Sequence, residues 1–236
     1  YNASGVSSRM IEALPNLEII VQFGAGMNNI ATDSAAERAV NMAYMPDLTC
    51  HDTADTAMAL VLGVSRRIVE ADMFTRVGKW YNHAFPLATS LYGKTVGIVG
   101  LGHIGRAIAQ RCEAFGMHVV YNGPREKESV RYRYYADLPQ MARECNYLVL
   151  SCAGGPATQN LVNARVLKAL GETGYLINVA RGQVVKPDDF LIALNNRTIA
   201  GAGLDVYWDE PRVPDELVEY DNVVLLPHIG SATRET

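Results

Sequence analysis

From Lys94 onward, short apolar runs of strand length alternate with stretches of helical spacing, and this alternation limits the chain to very few architectures. The runs are Thr95–Val99, Met117–Tyr121, Tyr147–Ser151, Tyr175–Val179, Ile199–Val206 and Val223–Leu226. Between them lie helical stretches such as Ile104–Phe115 and Pro187–Leu194, the second opening on a proline where a first helical turn accepts one. Strands that are apolar throughout, rather than at every second residue, are covered on both faces. The pattern predicts an α/β fold with a doubly wound parallel sheet, its six strands in the order 3-2-1-4-5-6.

Upstream the signals are shorter. Leu17–Phe23 reads as a strand ending in Gly24-Ala25-Gly26, and Asn41–Tyr44 as another, with Pro46 marking a break. Asp33 is expected to cap a helix running to about Val40. From Thr53, the apolar residues Ala57, Leu60, Val61, Val64 and Ile68 recur at helical spacing.

With 49% hydrophobic and 19% charged residues, the 236-residue chain can bury a large core, which excludes disordered, collagenous and coiled-coil classes. A net charge of −4 argues against a general nucleic-acid or anionic-membrane surface. No apolar run approaches the ~18 residues of a membrane span, and the start lacks the pattern of a secretory signal. Cys50, Cys112, Cys145 and Cys152 form no CxxC pair and have no histidine at zinc-binding spacing, so reduced thiols in a cytoplasmic protein, without a metal site, are expected. The chain starts at Tyr1 in mid-pattern, as a piece of something longer would.

Gly100-Leu101-Gly102-His103-Ile104-Gly105 follows a predicted strand and opens a predicted helix. GxGxxG alone is weak, but in this context it reads as a dinucleotide-binding loop. Gly100 permits the tight turn, Gly102 lets the backbone approach a pyrophosphate at the helix N-terminus, and Gly105 lets helix and strand pack closely.

Ligands in open parallel sheets bind beyond the carboxyl ends of the strands. Three strands are followed there by ionisable residues: Arg181 after Tyr175–Val179, Glu210 after Ile199–Val206, and His228 after Val223–Leu226. Taken singly, each reads more simply as a surface arginine, a solvated turn carboxylate or a capping histidine. Together beside a glycine loop they suit carbonyl reduction. A histidine supplies the proton that the new alkoxide needs, a carboxylate keeps it charged and oriented, and an arginine fork holds a substrate carboxylate.

The second strand of an NAD-specific fold ends in an acid that binds the adenosine ribose. Here that position is Asn122, followed by Gly123, Pro124, Arg125 and Lys127. The repelling carboxylate is absent and cations take its place, which favours NADP(H) over NAD(H), although Glu126 and Glu128 partly offset the charge.

The glycine loop, Asn178-Val179-Ala180-Arg181-Gly182, Gly203-Leu204-Asp205-Val206-Tyr207-Trp208-Asp209-Glu210-Pro211 and Leu226-Pro227-His228-Ile229-Gly230-Ser231 together resemble the D-isomer-specific 2-hydroxyacid dehydrogenases, most of all their glyoxylate/hydroxypyruvate reductase branch. The likeness runs from about Leu14 to Thr236. It implies that Arg181 anchors the substrate and that Glu210 pairs with His228, the general acid. It puts Asp205 by the nicotinamide carboxamide, makes Ala180 a further cofactor-binding residue, and puts His103 and Ile104 by the pyrophosphate. It makes Ala25, Gly26 and Met27 part of a loop whose amides hold the substrate carboxylate. It further implies a flavodoxin-like substrate domain in two pieces, 1–48 and 231–236, around a whole cofactor domain at 49–230, with the first part of the substrate domain and the last helix lacking. A homodimer built by the cofactor domains is also implied, and Phe74–Trp80 is a candidate contact, weighed equally against core packing for Trp80. The chain departs from the family pattern at Met27-Asn28, which bears on substrate size, and at Ala153-Gly154-Gly155-Pro156, which bears on the adenosine pocket. The leading expectation is a reductase of small 2-oxoacids. The alternatives are a dinucleotide-sensing binding protein of the same fold with little turnover, and an inactive truncation product that merely folds.

Overall fold

The computed structural model describes residues 5–22, 24, 26–27, 29–45 and 48–236; Ala25, Asn28 and Pro46, singled out above, lie outside them. The first elements are α1 (Ser8–Glu12), β1 (Ile19–Gln22), α2 (Thr32–Glu37) and β2 (Asn41–Tyr44). Next come α3 (Cys50–Arg66), α4 (Ile68–Arg76), β3 (Thr95–Val99), α5 (His103–Ala114), β4 (His118–Asn122) and β5 (Arg133–Tyr135). The chain continues through α6 (Leu138–Arg143), β6 (Tyr147–Leu150), α7 (Ala164–Leu170), β7 (Tyr175–Asn178), α8 (Pro187–Asn195), β8 (Gly201–Leu204), α9 (Asp215–Val218) and β9 (Val223–Leu225).

Among the described residues, two sheets of parallel strands result. β1 and β2 pair by themselves, and their elements close over a small cluster of Ile11, Ile20, Ile30, Ala35 and Val40. The larger sheet has seven strands, all parallel, in the order β5-β4-β3-β6-β7-β8-β9. Its central strands are apolar throughout because successive side chains enter different cores. Tyr147 and Val149 pack toward α3 and α5, while Leu148 and Leu150 pack toward α6, α7 and α8. Burying each such side chain fully contributes roughly 1.5–3 kcal/mol.

Three expectations need correction. The doubly wound class holds, but the sheet has a seventh strand, β5, and the order differs accordingly. Tyr147–Leu150 does not lie outside β4 at the sheet's edge; it pairs with β3, and β5 takes the outer place. Asp33 is not a cap: the residue ahead of α2 is Ala31, and Asp33 sits in the first turn, where its charge suits the helix dipole. Of the two readings of Trp80, core packing does not hold, because its side chain is 71% exposed.

Candidate active site

The glycine loop joins β3 to α5. Gly100 has φ +93°, a left-handed value that glycine adopts without cost, and a Cβ there would lie 2.5 Å from the Cys152 Cα. A Cβ on Gly105 would run into the Gly100 carbonyl oxygen. The protein's own packing therefore requires both glycines. Gly102 is different: its φ of −82° suits any residue, and a Cβ there would meet nothing within 4 Å. It lies in front of the first turn of α5, where helix geometry leaves N–H groups without intrahelical partners and the dipole favours an anion. A glycine that packing does not require, exposed at that helix end, fits a dinucleotide pyrophosphate. His103 is exposed and Ile104 half-buried in that same turn.

Further along the same carboxyl edge, β7, β8 and β9 bring Arg181, Glu210 and His228 together. His228 Nδ1 and Glu210 Oε2 are 2.6 Å apart. The second oxygen of Glu210 accepts the Tyr207 amide at 2.9 Å. Burial alone would raise the Glu210 carboxyl, but the hydrogen bonds from His228 and the Tyr207 amide, with the charges of His228 and Arg181, hold it below its ordinary value. The carboxylate is thus ionised and directed at Nδ1 of the imidazole.

The backbone around His228 is held on both sides. Tyr207 donates its hydroxyl to the Leu226 carbonyl at 2.8 Å, just before His228. Asp205 accepts from the amides of Ile229 and Gly230 at 2.8 Å each, just after it. Between these anchors His228 takes φ +54°, an uncommon value for a residue with a side chain. Asp205 is only 2% exposed, and burial raises its carboxyl despite the two amides and the nearby imidazole. In the fold, then, Asp205 clasps the segment that follows His228.

Arg181 follows β7. Asn178 shapes its loop: its Oδ1 accepts the Ala180 amide at 3.0 Å and its Nδ2 donates to the Arg181 carbonyl at 3.1 Å. Arg181 Nη1 donates to the Ala180 carbonyl at 2.6 Å. The guanidinium lies so close to Gly26 that a Cβ on that glycine would overlap it. Gly26 and Arg181 therefore meet between the two sheets. Met27 packs its side chain on the small cluster around Ile30, so what it presents to the site is backbone. Gly182 abuts the backbone of Tyr207, which brings the Arg181 and Glu210 loops together. Asn178 and Tyr207 had no assigned role in the sequence, although both stand inside the quoted motifs; an amide side chain at a strand's carboxyl end was the available signal.

The cofactor-side turn is further off, beyond β4. Asn122 is buried and donates its Nδ2 to the Tyr135 and Ala136 carbonyls at 2.8 and 3.4 Å. Its side-chain nitrogen thus serves the β4–β5 edge. Arg125 is exposed on the turn. Among the described residues, no group of three or more His, Cys, Asp or Glu side chains converges to hold a metal, and no helix is long and apolar enough to cross a membrane.

Comparison with known proteins agrees with this geometry. Residues 58–230 match the model of the D-isomer specific 2-hydroxyacid dehydrogenase NAD-binding domain. Glyoxylate/hydroxypyruvate reductase A of Arabidopsis thaliana is 42% identical over all of this chain, which spans 75% of that relative. A 2-ketogluconate reductase of Gluconobacter oxydans is 43% identical over 99% of this chain and 75% of its own length. Among solved structures, an NADPH-dependent glyoxylate/hydroxypyruvate reductase from Sinorhizobium meliloti, in complex with NADP and malonate, superposes with a TM-score of 0.94. It is 42% identical, and the match covers 98% of this chain and 73% of that one.

Proposed function

Because this chain belongs to the D-isomer specific 2-hydroxyacid dehydrogenase family, we propose that it reduces small 2-oxoacids of the glyoxylate and hydroxypyruvate type to 2-hydroxyacids, with NADPH preferred to NADH. The observation that carries this is the His228–Glu210 pair at 2.6 Å, on the same edge as Arg181 and the glycine loop. Relatives at similar identity are named for glyoxylate, hydroxyphenylpyruvate and 2-ketogluconate, so what they share is the 2-oxoacid group and not its substituent. That all are reductases favours turnover over a purely sensory role.

In this reading, the Gly100–Gly105 loop and the first turn of α5, with His103 and Ile104, hold the pyrophosphate. Asn122 Oδ1 and Arg125 meet the adenosine ribose and its 2′-phosphate, and Ala180 and Asp205 border the nicotinamide. When bound, the cofactor supplies hydride to the carbonyl carbon. Arg181 holds the substrate carboxylate with its planar fork and draws electron density toward the carbonyl oxygen. The amides of the Ala25-Gly26-Met27 turn hold the same carboxylate from the other side. His228 gives the proton on Nε2 to the oxygen that becomes hydroxyl, and Glu210 stabilises the imidazolium that must be present before that transfer. Metal participation forms no part of this scheme.

Residues 1–48 and 231–236 are read as pieces of a substrate domain around the 49–230 cofactor domain. Thr233 already docks on the first turn of α3, donating to Asp52 at 2.7 Å. A homodimer is also proposed. Helix α4 buries none of its residues and exposes Ile68, Val69 and Met73, with Val77, Trp80 and Tyr81 beyond its end. An apolar stretch of this kind is the mark of an interface, and a second copy is its proposed occupant. Cytoplasmic residence belongs to the same proposal, supported by the thiols of Cys112, Cys145 and Cys152; burial pushes the first two up to about 12 and the third to about 11, so all three stay protonated.

The test is a steady-state assay of glyoxylate and hydroxypyruvate reduction with NADPH, run beside a cofactor-binding titration. Turnover of either acid is expected. Cofactor binding with no turnover of any 2-oxoacid would leave the sensory reading in possession.

A further inference from the structure

The turn that follows β4 is clamped at both ends by two tyrosines. At its start, the Tyr134 hydroxyl donates to the Gly123 carbonyl at 3.0 Å. At its end, the Lys127 amide donates to the Tyr121 hydroxyl at 2.7 Å. The two tyrosines are register partners on the parallel pair β4–β5, and their rings sit 5.3 Å apart at 49°. Tyr121 is buried, so its hydroxyl is a fixed point and not a solvated group. A third tie comes from α5, where Arg106 Nη2 donates to Ser129 Oγ at 3.4 Å.

Arg125 stands between the two clamped ends. It is exposed, and it makes no hydrogen bond or ion pair with any of the described residues. Its backbone is thus fixed while its guanidinium is uncommitted. A flexible cation on a loose turn would lose most of its gain on binding to the ordering of that turn, whereas a turn already ordered keeps it.

We propose that Tyr134, together with Tyr121, is a positioning residue for coenzyme choice: the two hydroxyls hold the Gly123–Lys127 turn so that Arg125 meets the 2′-phosphate of NADPH. This rests on the NADPH preference proposed above and adds to it the residues that make the preference possible. NADH has a 2′-hydroxyl where NADPH has the phosphate, so it gains nothing from a placed Arg125 and serves as the internal control.

The experiment is an equilibrium titration of the whole chain with NADPH and with NADH, followed by reduced-nicotinamide fluorescence at fixed salt. It uses wild type, Tyr134→Phe, Tyr121→Phe and Arg125→Ala. Phenylalanine keeps each ring and its packing and removes only the hydroxyl. Tyr134→Phe is expected to weaken NADPH by about 2- to 10-fold, the range of one hydrogen bond's net worth, with NADH unchanged. Tyr121→Phe is expected to do the same and to speed hydrogen exchange at the Lys127 amide. If Arg125→Ala abolishes the preference while both phenylalanine variants keep it, the clamp has no part in specificity and the inference fails. It fails also if the two cofactors weaken equally. If wild type binds both alike and Arg125→Ala changes nothing, the NADPH preference itself is wrong and the inference falls with it.

Discussion

The two ends of the seven-stranded sheet are built by opposite means. At the β8–β9 end, backbone is held by carboxylates as well as a hydroxyl: Asp205 takes the Ile229 and Gly230 amides, and Glu210 takes the Tyr207 amide and the imidazole. At the β4–β5 end the Gly123–Lys127 turn and the strand edge are held mostly by neutral groups, two tyrosine hydroxyls and an asparagine amide, and Arg125 stands out in solvent. The difference suits the roles proposed for the two ends. Proton transfer requires charged groups fixed to a fraction of an ångström, so charge is placed inside the scaffold. Selection between cofactors requires charge directed at a ligand, so Arg125 is left exposed on a turn held mostly by neutral groups.

The largest effect that separates the two ends is His228→Asn. It is expected to lower reduction by ~10²–10⁴ while leaving NADPH affinity at the far end nearly intact, a contrast read by turnover and titration on the same sample. A variant that turns over at near wild-type rate would remove His228 from the chemistry. Arg181→Lys comes next: charge is kept and the planar fork is lost, so kcat/KM for glyoxylate is expected to fall by about tenfold or more. A change under about threefold would speak against bidentate anchoring.

The smallest effect is a pH dependence peculiar to the charged end. Glu210 is held below its ordinary value of 4.5, so its stabilising contribution is complete above that pH and is lost as pH falls through its lower folded value. Asp205 acts with the opposite sign: its folded value is raised above 3.8, so it costs stability as pH rises through that interval. In Glu210→Gln the first contribution is gone. The melting-temperature gap between wild type and this variant is expected to narrow between about pH 6 and about pH 3.5. A gap that is constant with pH would mean that the Glu210–His228 contact adds nothing to the fold.

The same contrast explains what could be read from the residues alone. The central strands β3, β6 and β7 are buried on both faces, and a run such as Tyr147-Leu148-Val149-Leu150 has few other readings. The three charged residues were legible because a parallel sheet sends every carboxyl end to one edge. β5 was not: Arg133-Tyr134-Tyr135 is three residues long with one of them buried, and its pairing depends on β4 being in place. Omitting it misplaced β6 and hid the support of the adenosine-side turn. Asn178 and Tyr207 were missed for a related reason, since their partners are backbone groups brought near only by the fold.

His228 carries one further consequence. With φ at +54°, it occupies a conformation that costs an L-residue about 1–2 kcal/mol and glycine almost nothing. The backbone here favours glycine, while the bond to Glu210 favours the imidazole, so the two effects oppose each other. Among variants that remove the imidazole, His228→Gly should therefore keep the highest melting temperature while losing the reaction. Random mutagenesis scored for turnover should leave His228 alone and improve the chain elsewhere.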